Sequence, residues 1–443
     1  GYPWDSKSDV SEPSVMRSQS ELDGVQYIHV PGGNLNREPI DQYVMQAADA
    51  FVREARMLRP SIIQAASNYR TALPALIAAR RLGIPFVYEV RGLWEFTEAS
   101  AKAGFEETER FEAMRSLETL VASNSDQVLA ITPQIKDELI SRGVESQVIT
   151  VAPNSVDPEV FVPIPKDRDF AKSKEISVEV PVIGFAGSIV GYEGLDKLVE
   201  ASSLLKQRDI AHQIVIAGSG AAEAALKDQV KKLNLGENIK FLGRLSQDQM
   251  PRLQSTFDVV ACPRKSNLVT ELVSPLKPLE SFAAGKATVL SDVAPNKELA
   301  GQTQERALLC DANSAESLTA QLEKLILDKE LIADLGRTSR LWVVRKRTWK
   351  RLGERMLDAH KTAIQVYESR TPSSRLLGAL RVGVIGDEFT RSTLEDSFNV
   401  ELLGRKTWRE QLEVNPKLDL IFVESAWEGN EGDWHRGVGH YSD

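Results

Sequence analysis

The sequence predicts an α/β protein of two doubly wound domains that face each other, followed by the start of a third α/β unit. Short β-branched runs alternate with helix-length amphipathic segments; an aperiodic stretch at 155–180 interrupts the alternation, which starts afresh at 380 after a long helical region. Strands that recur with a helix between them read as βαβ units, hence as parallel sheets.

In the first series "GVQYIHVPG" (24–32) leads to a helix at 42–58, "SIIQAAS" (61–67) to one at 70–82, and "PFVYEVRG" (85–92) to a long helix ending near 124. "DQVLAIT" (126–132) follows, with a helix to about 142, and "SQVITVAPN" (146–154) closes the series. The second series runs through "PVIGFAGS" (181–188), "HQIVIAGSG" (212–220), "NIKFLGRL" (238–245), "DVVACPR" (258–264), "KATVLSD" (286–292) and "RALLCDA" (306–312), then three more helices to about 369. "LRVGVIGDEF" (380–389) and "KLDLIFVES" (417–425) open a third. The expected division is a first domain at 1–160, a linker at 161–180, a second domain at 181–345, a helix at 346–370, and a linker with a truncated α/β start at 371–443.

Composition sets limits on function. A length of 443 residues, 42% hydrophobic and 26% charged, suits a globular protein of two or three domains, and a net charge of -9 argues against a dedicated nucleic-acid binder. Cys262 and Cys310 lie in apolar runs and read as buried reduced thiols; the five histidines show no metal-ligand spacing, so no metal site is expected. No apolar run is long enough to span a bilayer, and the start lacks a leader pattern, so the expectation is a cytoplasmic protein. The turn-rich opening "GYPWDSKSDV" and the close on "GNEGDWHRGVGHYSD" read as cut ends, so the chain is expected to be a fragment with its first βα unit missing.

Three segments carry a family resemblance: "LAITPQIKDELISRGVESQVITVAPNSVDPEVFVP" (129–163), "FLGRLSQDQMPRLQSTFDVVACP" (241–263) and "SPLKPLESFAAGKATVLSD" (274–292). Together, over about 60–369, they resemble a family 4 retaining glycosyltransferase of the GT-B fold, with two facing Rossmann-like domains. The resemblance implies a hexosyltransferase-like transferase that moves a sugar from a nucleotide-sugar, UDP- or GDP-linked, to an acceptor hydroxyl in polysaccharide or glycan assembly. It implies no cofactor, a glycan or lipid-linked acceptor, and leaves room for peripheral contact with the inner face of a membrane. The alternatives are a non-catalytic GT-B partner in glycan assembly, or a GT-B epimerase or phosphorylase, the last normally holding pyridoxal phosphate on a lysine.

The donor lies mainly on the second domain in this family, and the motif positions assign its site. Ser274, Leu276 and Lys277 form the loop before a helix that Pro278 opens, and Glu280 takes the position of the glutamate that binds the donor ribose. A first-turn carboxylate facing the helix dipole is the plainer alternative for Glu280. Gly187 and Ser188 let the backbone approach the phosphates closely, as donor-binding positions. The cations that usually follow the glycine are replaced by Ser188 and Glu193, so Lys277, Arg264 and Lys265 become the candidates for gripping the pyrophosphate, with Arg244 nearby on "FLGRL". Arg264 and Lys265 read equally well as a solvated strand-end pair. The first glutamate of the family's pair falls at Leu272, with Glu271 one residue away as the catalytic-side candidate.

In the first domain Arg91 stands where the family often has a histidine, and it either stabilises charge on the departing phosphate or pairs with Glu89 or Glu95. Asn68 and Arg70 follow the preceding strand as a helix cap or acceptor contacts, and Asn154 of "APNSVD" resembles the family's hinge.

Overall fold

The computed structural model describes residues 18–30, 38–369, 381–385, 388–395, 398–404, 407–408, 410–411, 418 and 420–423. The two stretches expected to be cut ends lie outside these residues, as do His435 and His440.

The first strand pair departs from expectation. β1 (Ser18–Leu22) and β2 (Val25–His29) form an antiparallel hairpin rather than a strand of the first parallel sheet. Asp23 and Gly24 join them with φ of 53° and 76°, the positive pair that a type I′ turn requires. The Asp-Gly dipeptide was the missed signal, and nearly every described side chain of the hairpin is exposed.

The first lobe then follows the alternation. α1 (Ile40–Leu58) precedes β3 (Ile63–Ala66), α2 (Tyr69–Leu82) and β4 (Phe86–Val90). The single long helix expected up to 124 is two helices, α3 (Trp94–Ala101) and α4 (Glu109–Ser123). Gly104, at φ 77°, turns the chain between them, and the Thr108 hydroxyl caps α4 by accepting from the Phe111 amide. β5 (Gln127–Ala130), α5 (Pro133–Ser141) and β6 (Ile149–Val151) complete a parallel sheet of order β3-β4-β5-β6.

The stretch expected to be an aperiodic linker contains a short helix, α6 (Arg168–Ser173). Asp167 caps it, and Phe170 and Ala171 join Leu253 and Phe257 in a buried cluster, so six residues of helix gave no readable period but a firm anchor.

The second lobe comprises β7 (Val182–Ala186), α7 (Leu195–Gln207), β8 (Gln213–Ala217), α8 (Glu223–Lys232), β9 (Ile239–Gly243), α9 (Met250–Thr256) and β10 (Val259–Cys262). It continues with α10 (Leu268–Leu272), α11 (Lys277–Ala283), β11 (Ala287–Ser291), α12 (Ala294–Ala300), β12 (Leu308–Cys310), α13 (Ala315–Leu327) and α14 (Lys329–Lys346). Its parallel strands are ordered β12-β11-β10-β7-β8-β9. Both cysteines are buried here, and burial pushes each thiol up to about 12.

α15 (Trp349–Ser369) returns to the first lobe, where Ala359 and Ala363 pack on Val87, Leu129 and Ala152. Beyond it β13 (Arg381–Ile385), α16 (Glu388–Glu395), β14 (Asn399–Leu403) and β15 (Leu420–Val423) form a parallel sheet of order β14-β13-β15. β14 was not among the strands expected. Val382, Val384, Leu394 and Phe398 join the same buried cluster as Val44, Ala48 and Leu76, so this unit packs on the first lobe. Among the described residues no helix is long and apolar enough to cross a membrane.

Candidate active site

Strand order in the second lobe reverses at β7, which has β8 on one side and β10 on the other. The connections after β7 and β10 therefore leave in opposite directions, and a crevice opens beyond the carboxyl ends of these strands. Residues 187–193 and 263–267 form its two lips.

Backbone contacts stitch the lips together. Lys265 N donates to the Tyr192 carbonyl at 2.9 Å, and a Cβ on Gly194, whose φ is +71°, would fall 1.8 Å from the Pro263 oxygen. Glycine is required there by both conformation and space. At Gly187 a Cβ would fall 2.1 Å from Lys277 Cε, so the lysine stem lies against the end of β7.

α11 begins at the crevice. Pro278 occupies its first turn, and Leu279, Phe282 and Ala283 are fully buried against the sheet. This leaves Lys277 and Glu280 on the side away from the core. Lys277 Nζ donates to Glu193 Oε1 at 2.8 Å and stands 5.2 Å from the Phe185 ring centroid. Glu280 is half-buried, and among the described residues no hydrogen bond reaches its carboxylate; burial raises its pKa to about 7, with Lys277 acting in the opposite direction.

The other expected donor residues divide. Arg264 is 4% exposed, donates to the Val273 carbonyl at 2.8 Å, and stacks 5.6 Å from the Tyr192 ring centroid. The solvated strand-end reading therefore fails for Arg264. Lys265 pairs with Asp196 at 2.8 Å, Ser188 is exposed, and Arg244 Nε donates to Ser219 Oγ at 2.5 Å on the β8–β9 side. Glu271 accepts from Ser266 Oγ at 2.6 Å and from the Ala294 amide at 2.9 Å, which ties it to the start of α12. Leu276 is exposed, whereas Ser274 is buried.

The loop before α11 also meets the first lobe. Thr132 Oγ1 donates to the Leu272 carbonyl at 2.6 Å, and Asn154 Nδ2 to that of Ser274 at 2.8 Å. The seam between the lobes thus lies beside the crevice. Asn68 caps α2 by accepting from the Arg70 amide at 3.1 Å, and the Arg70 guanidinium lies 5.9 Å from the Tyr69 ring centroid. Arg91 is clamped by Glu89, with contacts of 2.8 and 3.2 Å to its two oxygens, while Glu95 pairs with Arg142 instead.

Sequence reasoning missed two features. Glu193 was seen as a replaced cation but not as the partner of Lys277; a carboxylate among candidate cations was the available signal. A buried network under the first lobe gave none: Tyr88 donates to Glu118 Oε2, and the Tyr69 amide reaches Oε1 at 2.9 Å. Burial raises the Glu118 carboxyl to about 7 despite these hydrogen bonds.

Two family descriptions match the chain in succession, "Glycosyl transferase 4-like domain" over residues 10–155 and "Glycosyl transferases group 1" over 166–342. The chain carries a family-4-like glycosyltransferase domain of GT-B fold. A GDP-mannose-dependent alpha-(1-6)-phosphatidylinositol monomannoside mannosyltransferase of Mycobacterium tuberculosis is 22% identical over 246 residues, 55% of this chain and 64% of that protein. The match thus spans less than two thirds of the length of that relative. A putative glycosyltransferase EpsF of Bacillus subtilis is 27% identical, covering 62% of this chain and 71% of that one. Sucrose-phosphate synthase from Thermosynechococcus elongatus superposes with a TM-score of 0.64 at 18% identity, covering 82% of this chain and 88% of that one. Anabaena HepE, solved with UDP, gives 0.61 at 16% identity, covering 71% and 82%. At such identities the superpositions speak for the GT-B fold.

Proposed function

We propose that this glycosyltransferase domain moves a sugar, with retention, from a UDP- or GDP-linked donor to a hydroxyl of a glycan or lipid-linked acceptor. The half-buried Glu280 carboxylate carries the reading: it stands at the strand-order reversal without a hydrogen bond from the described residues, where a ribose offers two hydroxyl donors. The names of the relatives are consistent with it, one being GDP-mannose-dependent and one neighbour holding UDP. In the transfer, the bond from the sugar's anomeric carbon to the donor phosphate oxygen breaks. The acceptor oxygen bonds that carbon on the same face, and its proton passes to the departing phosphate.

In this reading Lys277 and Arg264 stabilise the charge that develops on the diphosphate, and Glu271 orders the loop beside the sugar. Arg91 acts from the facing lobe only as a pair with Glu89, which cancels most of its charge. Nucleotide release from a panel of UDP-, GDP- and ADP-sugars tests the proposal. Acceptor-dependent release supports transfer, sugar interconversion without release marks an epimerase, and nucleotide binding without turnover marks a non-catalytic partner.

The proposal extends to contact with an anionic lipid surface. At the α14–α15 turn Leu341, Val344 and Trp349 are exposed beside Arg345, Lys346 and Lys350, which form no ion pair among the described residues. An apolar and basic mixture of this kind suits an interface. Co-sedimentation with anionic vesicles but not zwitterionic ones, lost in Trp349→Ala, supports it; equal recovery with both overturns it.

A further inference from the structure

Three charged side chains meet where the diphosphate of the proposed donor would lie. Glu193, on the turn ahead of α7, is 4% exposed. Its Oε1 accepts from Lys277 at 2.8 Å and stands 3.9 Å from Arg264 Nε, while Oε2 is buried with no hydrogen-bond partner. Lys265 on the neighbouring lip is held by Asp196 at 2.8 Å. Two cations against one buried carboxylate leave a single net positive charge, and the lysine already has an anionic partner.

The carboxylate has little freedom to withdraw. Gly194, the next residue, packs on the Pro263 oxygen, and the Tyr192 carbonyl before it accepts from Lys265 N at 2.9 Å. A phosphate approaching Lys277 therefore meets a fixed negative charge and must break an existing pair. Resting on the nucleotide-sugar reading, we infer that Glu193 is a specificity-determining residue that competes with the diphosphate for Lys277. The crevice then holds its donor chiefly by the nucleoside and the sugar.

Calorimetry with uridine, UMP and UDP, and with guanosine, GMP and GDP, tests this. In the wild type the diphosphate of the preferred base should bind no more than about threefold tighter than its nucleoside. Glu193→Gln keeps an acceptor for Lys277 and removes the charge, so diphosphate affinity should rise at least about tenfold, some 1.4 kcal/mol, with nucleoside affinity unchanged. A wild-type diphosphate that binds about a hundredfold tighter than its nucleoside overturns the inference, whether or not the variant folds. Nucleoside binding combined with unchanged diphosphate affinity in a folded Glu193→Gln overturns it too, leaving the donor reading intact. Failure of every nucleoside and nucleotide to bind either protein removes the donor reading, and the inference with it.

Discussion

The two lobes use one local pattern, short buried parallel strands closed by helices, yet they treat charge differently. In the first lobe the strands follow chain order, β3-β4-β5-β6, and the buried polar groups turn to one another. Arg80 pairs with Asp126 at 2.7 Å, Arg142 with Glu95 at 2.6 Å, and Tyr88 with Glu118. In the second lobe the order reverses at β7, the loops on either side diverge, and Glu280 remains half-buried without a hydrogen bond from the described residues. The named first-lobe charges are matched as internal pairs, whereas the reversal in the second lobe places a crevice near Glu280.

Removing the centre of the first-lobe network should have the largest effect. Glu118→Ala strands the Tyr88 hydroxyl and the Tyr69 amide in the core, so a loss on the order of 3 kcal/mol is expected in denaturant unfolding. Nucleotide affinity should survive wherever the protein remains folded. A parallel collapse of binding in the folded variant would break the contrast between the lobes.

The same residue gives a pH dependence. Glu118 has its pKa raised from 4.5 to about 7, so its protonated form favours the fold, and that stability is full below 4.5 and disappears as pH rises through about 7. Glu280, raised in the same direction, adds to the slope. Stability should therefore fall between pH 5 and pH 8 by up to about 3 kcal/mol per group, and Glu118→Gln should flatten the curve. A flat wild-type profile would show that the network does not hold its proton.

Lys277 sharpens the comparison from the other side. Lys277→Met leaves the buried Glu193 with only the 3.9 Å contact to Arg264, so stability should drop by about 1–2 kcal/mol while nucleotide affinity also weakens. Unchanged melting would show that the pair is weak in solution. The smallest effect is expected at Arg91, whose side chain is 64% exposed: Arg91→Ala should cost under about 1 kcal/mol and leave nucleotide affinity alone. A loss of turnover in that variant would mark a role in transfer.

The alternating elements were legible because the central strands are mostly buried apolar residues, as in "VIGFA" and "VVAC". The motif around Pro278 also located the crevice helix, since Leu279, Phe282 and Ala283 repeat at helical spacing. The hairpin at Asp23–Gly24 was misassigned because its apolar residues are exposed, so their pattern says nothing about a core. The pairing of Lys277 with Glu193 spans 84 residues, and no local spacing reports it. The burial that shifts Glu118 and Glu280 likewise arises only when distant elements close around them.

Calorimetric titration of UDP and GDP into the wild type and Glu280→Ala, at pH 6 and pH 8, tests the central claim most directly. An ionised Glu280 accepting ribose hydroxyls predicts that affinity for one nucleotide rises about tenfold from pH 6 to pH 8, following the group raised to about 7. Glu280→Ala should lose at least about tenfold at pH 8 and lose that pH dependence, with a melting temperature at pH 8 no lower than that of the wild type. Equal nucleotide affinity in the two proteins, together with a lower melting temperature in the variant, would show instead that Glu280 serves only the start of α11.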